Sequence, residues 1–93
     1  MISPARENLL TWEVIKVIYE EGARFLYPDE DEGLRRVRQA VSRGLAVLGT
    51  DGEVATTADF RKLYRTGWDD LVDDIVPHEA RRRVAERFRA LVF

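Results

Sequence analysis

The chain has 93 residues, a formal net charge of −2, 45% hydrophobic and 34% charged residues, and no cysteine. That length suits one domain (1–93) with a thin core, and the steady recurrence of branched apolar and aromatic residues argues against disorder. Disulfides and thiolate metal sites are excluded, and no apolar run approaches the ~20 residues of a membrane span.

Met1 to Leu10 lacks the basic start and apolar stretch of a secretory signal, so a cytoplasmic location is expected. The 15 basic residues are 13 Arg and 2 Lys, a bias that a GC-rich genome explains as readily as a function. Overall acidity argues against binding nucleic acid with the whole surface, though not against one basic face.

The first helix is expected to start at Ser3 or Thr11 and to run to about Glu21. Ser3 followed by Pro4 suits a helix entry. Leu10, Val14, Val17 and Ile18 share one face, widened by Trp12, Ile15 and Tyr19. Gly22 is a plausible terminator. Ala23 to Tyr27 has room for one further turn, which Pro28 ends.

Asp29 then opens a second helix. Asp29 and Glu32 have capping-box spacing, and the acidic run 29–32 lies where the helix dipole favours negative charge. Leu34, Val37 and Val41 form its apolar stripe, and Gly44 suits the position just past its end. Next comes the one strand signal. Leu45–Leu48 and Glu53–Thr56 flank Gly49-Thr50-Asp51-Gly52, and an Asp-Gly pair favours a tight hairpin turn.

Thr56 and Asp59 repeat the capping-box spacing. Phe60, Leu63 and Tyr64 line a helix that Gly67 would end. Trp68, Leu71, Val72 and Ile75 mark another, up to Pro77. Ala80, Val84, Phe88 and Leu91 mark a last amphipathic helix. The expected order is α-α-β-β-α-α-α, mainly α with one β-hairpin.

The stretch from Gly33 to Arg65 resembles the second half of a winged-helix domain. Arg43-Gly44-Leu45 is similar to the exit of that family's recognition helix, Asp51-Gly52-Glu53-Val54 to its wing, and Thr57-Ala58-Asp59-Phe60 to the start of the following helix. Upstream, Val14 to Gly22 is similar to the family's first helix. The resemblance covers about half the chain. It implies a winged-helix-like part over 1–67, with 68–93 as a two-helix C-terminal extension.

On that reading, helix 33–43 hides its apolar stripe and presents Arg35, Arg36, Arg38, Gln39, Ser42 and Arg43. Arg can pair with guanine edges or phosphates, and Gln with adenine. This makes double-stranded DNA a candidate partner and the chain a candidate DNA-binding regulator or nucleoprotein accessory factor. The plain alternative for the same residues is a solvated helix face paired with nearby acids. The acidic helix front and the acidic turn at 49–53 favour a different role, a protein–protein interaction adaptor.

Asp69-Asp70-Leu71-Val72-Asp73 has the D-D-x-x-D spelling of prenyl-diphosphate enzymes. Without a second acidic helix in a large bundle it reads as an exposed face pairing with the basic helix that follows. His78 stands alone after Pro77, with no nucleophile or paired carboxylate to make a triad. No phosphate-cradling glycine loop or metal spacing is present. No enzyme, metal or cofactor is expected. The apolar chain end, with Val84, Phe88, Leu91, Val92 and Phe93, suggests an interface for a homodimer or another partner.

Overall fold

In the computed structural model of this chain, which describes residues 7–93, Asn8 opens the first helix, α1 (Leu9–Glu21). The Asn8 side-chain oxygen accepts from the Thr11 N–H at 2.8 Å, and its Nδ2 donates to the Ala55 carbonyl at 2.7 Å. One residue thus caps the helix and ties it to a distant loop. Of the two expected starts, Ser3 lies outside the described residues. Thr11 is instead buried inside the helix, where its hydroxyl donates to the Gly52 carbonyl at 2.8 Å. Gly22 ends α1 as expected, and a 3-10 turn at Ala23–Phe25 fills the short segment before Pro28.

The second helix, α2 (Glu30–Val47), is capped by Asp29, whose carboxylate accepts from the Asp31 N–H at 3.2 Å. Glu32 does not complete the expected capping box. Its carboxylate turns to Arg36 one turn on. Leu34, Val37 and Val41 are buried as their spacing predicts, together with Ala40 and Leu45.

The expected β-hairpin is absent. Among the described residues there are four α-helices, two 3-10 turns and no strand, so the winged-helix topology does not form. Two local facts explain the difference. Leu45 continues the stripe of Leu34, Val37 and Val41 at helical spacing and is fully buried, so the chain gains apolar burial by staying helical through Gly44. The stop comes five residues later, at Gly49, whose φ of +75° is the left-handed conformation that glycine adopts without strain. The Gly49 N–H donates to the Ala46 carbonyl and the Thr50 N–H to the Leu45 carbonyl, each at 2.9 Å. This pair of bonds is a Schellman motif. Residues 48–56 then form a loop rather than a wing, pinned from behind by Asn8 and Thr11.

Thr56 and Asp59 do form the expected capping box at the start of α3 (Thr57–Val72). Gly67 kinks this helix, with φ −140° and ψ 15°, without ending it. The two helices expected on either side of Gly67 are therefore one bent helix, and Ile75 and Val76 lie in the turn beyond it. A second 3-10 turn (His78–Ala80) leads into α4 (Arg81–Val92).

All four helices contribute to one apolar core, which includes Ile18, Val37, Phe60, Leu63, Val84 and Phe88. α4 packs chiefly on α1 and also on α3. Phe88 stands at the centre of an aromatic cluster. Its ring centroid lies 6.2 Å from Phe60, 5.7 Å from Tyr64 and 4.8 Å from Trp68.

Three glycines sit where helices meet most closely. A Cβ on Gly33 would lie 2.1 Å from Tyr19, one on Gly44 2.8 Å from Leu63, and one on Gly22 2.6 Å from Val84. Each is too close for an unmoved neighbour. These positions serve the α1–α2, α2–α3 and α1–α4 contacts, so Gly44 is a packing notch and not the helix end expected of it. Burial raises the Tyr19 hydroxyl above its ordinary pKa, with the Glu30 and Asp29 charges adding to the effect. It stays protonated and donates to the Tyr27 carbonyl at 3.1 Å.

Candidate functional site

The six polar residues expected to face a partner from α2 do not form one free surface. Arg38 is half-buried, ion-paired with Glu7, and lies over the Trp12 ring at 5.6 Å. Arg36 pairs with Glu32 at 3.4 Å and lies over the Tyr27 ring at 5.5 Å. Arg35, Gln39, Ser42 and Arg43 are exposed. Among the described residues no ion pair engages Arg35 or Arg43. The stripe therefore offers two uncommitted guanidinium groups, at the far end of a helix whose first turn carries Glu30, Asp31 and Glu32.

The apolar stripe of α4 is occupied inside the chain. Val84, Phe88 and Val92 are fully buried in the core, and Leu91 is half-buried. They are not available to a second copy, because the expected interface face is the one that docks α4 onto α1 and α3. Phe93 is exposed at 56%. Its ring meets Tyr64 edge-on at 5.8 Å, and Arg61 and Arg65 each lie 5.7 Å from it.

The acidic run after Trp68 pairs with the basic helix at one point only among the described residues, Asp73 with Arg81 at 3.8 Å. Arg83 and Arg87 turn instead to Glu21 on α1, at 3.9 and 3.7 Å, and Arg82 pairs with Glu86 on its own helix. No group of three or more His, Asp or Glu side chains among the described residues is arranged to hold a metal. No helix among them is long and apolar enough to cross a membrane.

Beside a mainly polar hollow of about 670 Å³ at Tyr19, Arg24 and Glu30, two concave features have a mainly apolar lining. The larger, about 750 Å³, lies between the end of α1 and the start of α4, over Phe25, Leu26, Pro77 and Ala80. Its rim charges are largely matched within the fold, through Arg82–Glu86 and Arg83–Glu21. The second, about 420 Å³, is a groove between α2 and α3. That volume falls in the range of roughly 300–1,000 Å³ typical of binding pockets. Ala40, Leu48, Leu63 and Leu71 supply its apolar lining, and Val47 stands at its edge with 87% of its surface exposed.

The polar members of that groove are Arg43, Thr66, Asp70 and Asp74, and no ion pair engages the three charged ones among the described residues. An apolar floor with a polar, unmatched rim is the anatomy of a recognition surface.

Gly67, the kink of α3, belongs to this groove. Its φ is one that any residue adopts, and a Cβ there would make only an ordinary contact, 3.4 Å from Leu63. Its non-helical φ and ψ bend α3 where the helix walls the groove. In the sequence Gly67 looks like a helix end, yet Leu63 and Leu71, on opposite sides of this glycine, sit eight residues apart and so keep one helical face.

Compared with models of protein families, with curated proteins and with solved structures, the chain matches none.

Proposed function

We propose that this protein is a non-enzymatic adaptor that binds a segment of another protein in the groove between α2 and α3. The observation that carries the reading is the combination, in one hollow, of an apolar floor and three charges that no ion pair engages among the described residues, beside the kink of α3 at Gly67. Helix-in-groove recognition uses these parts, with apolar anchors at helical spacing supplying affinity and rim charges supplying register.

A DNA-binding role for α2 has less support. Two uncommitted cations would release about two counterions, a salt slope near −2, against roughly six to ten phosphate contacts in strongly salt-dependent binders. The acidic first turn of the same helix would repel phosphate.

Selection of a random peptide library displayed on phage against the immobilised protein tests the adaptor reading. Clones should be enriched on the native chain and lost on Val47→Lys, a change at an exposed position that leaves the core intact. Failure to enrich any clone, or enrichment indifferent to Val47→Lys, overturns the assignment. A parallel titration with random duplex DNA at low and moderate salt should show no binding. A salt-steep affinity that disappears in Arg35→Ala/Arg43→Ala would replace the adaptor with the DNA-binding reading.

A further inference from the structure

The charges around the groove specify its occupant more closely. Asp70, in the last turn of α3, and Asp74, just beyond its end, both line the hollow. Arg43 is the one cation of the lining, and it shares its position with Asp74. The two also line a smaller neighbouring hollow of about 350 Å³ with Tyr27 and Gln39, so they stand on the ridge between the two hollows. Asp70 has no such cationic neighbour in the lining. Beyond it the exposed Asp69 and Asp73 add further negative charge, and only Asp73 is matched, by Arg81.

These carboxylates cluster at the C-terminal end of α3, which has no basic residue in its last turn. That is the end where a helix dipole favours cations. The local field is therefore negative both from the side chains and from the helix itself, and among the described residues it is offset only in part, by Arg81 at Asp73 and by Arg43 near Asp74. A cation brought by a partner would offset the rest.

Building on the adaptor reading, we propose that the groove takes a basic amphipathic helix of a partner protein. An apolar side chain sits over Leu63 and Leu71, beside the open wall at Gly67. A Lys or Arg one turn away meets Asp70, and a second can reach Asp74. Val47 extends the apolar contact at the rim.

Two labelled helical peptides of the same length test this, one built from Leu and Lys at amphipathic spacing and the other with every Lys replaced by Glu. Fluorescence anisotropy gives their affinities, and amide chemical-shift changes locate the site. The Leu/Lys peptide should bind at least tenfold more tightly than the Leu/Glu peptide, with shifts centred on Gly44, Val47, Gly67 and Asp70. In Asp70→Lys/Asp74→Lys that order should reverse. Both positions are exposed, and circular dichroism checks that the helices persist; Asp70→Asn, with a smaller loss, serves if the double variant unfolds.

Equal affinities, shifts centred elsewhere, or an unchanged order in a folded charge-reversal variant would overturn the proposal. If library clones bind the groove while neither designed peptide does, the basic partner is wrong and the adaptor reading stands. If the library yields nothing as well, both fall.

Discussion

Replacing Gly33 by alanine puts the helix packing to its most direct test. A Cβ at this position would lie 2.1 Å from Tyr19 Cε1, 2.7 Å from Cδ1 and 3.1 Å from the Tyr27 carbonyl oxygen. Tyr19 cannot simply swing aside, since it is 7% exposed and its hydroxyl donates to Tyr27 and Pro28. Either the ring leaves its site and loses that bond, or α1 and α2 separate. Overpacking of this kind costs roughly 1–3 kcal/mol, and a lost hydrogen bond adds roughly 0.5–1.5 kcal/mol. Alanine's better helix propensity returns about 1 kcal/mol.

The net is a loss of about 0.5–3.5 kcal/mol, or a fall in Tm of at least ~2 °C for a chain of this size. Gly67→Ala supplies the control. There the added methyl meets only Leu63 at 3.4 Å, and the non-helical φ and ψ offer no helix-propensity gain, so Tm should change little. Thermal unfolding followed by circular dichroism measures both variants in one afternoon. If Gly33→Ala proves as stable as the native chain, α1 and α2 do not cross as closely as described, and the account of the glycine notches fails.

Two further outcomes follow from the packing and capping. The Asp59 carboxylate is held below its ordinary pKa of 3.8, mainly by the Thr56 backbone N–H. A depressed carboxylate stabilises the fold above its unfolded pKa, and that contribution is lost as pH falls through the folded value. Asp59→Asn should therefore unfold more easily than the native chain at pH 7, by about 0.3–1 kcal/mol, the scale of a carboxylate at a helix N-terminus, with the gap closing below about pH 4 in urea titrations. Phe88→Ala removes the centre of the aromatic cluster and should cost about 3–5 kcal/mol. Phe93→Ala, at a half-exposed ring, should cost under about 1.5 kcal/mol, the scale of an aromatic pair; denaturant midpoints that rank the two equally would contradict the core assignment.

Local signals in the sequence located most helical segments. The Thr56–Asp59 box, the Asp29 cap and the spacing of Leu34, Val37 and Val41 depend on neighbours within four residues, and each is present in the fold. Gly44 does not end its helix as expected because glycine has two uses that look identical in a sequence. It can end a helix through a left-handed conformation, as Gly49 does, or let another helix approach, as Gly33 and Gly44 do. Which use applies depends on Leu63 and Tyr19, residues far along the chain. The Asp51-Gly52 turn signal was equally local, but two strands need a partnered sheet edge, and this fold has none among its described residues. The candidate site was legible only in fragments. Arg43 stood out on the expected face, whereas Asp70, Asp74 and Gly67 read as a solvated acidic stretch and a helix end.

Apolar periodicity and capping chemistry, written in the chain itself, determined that this protein is mainly helical and which residues its core contains. Tertiary structure alone decided that the stretch 45–47 stays helical, that the α4 stripe is buried at home, and that Arg38 is withdrawn into an ion pair. The reason is physical: a side chain's local pattern reports which face is apolar, but the identity of whatever covers that face depends on the contact between distant segments.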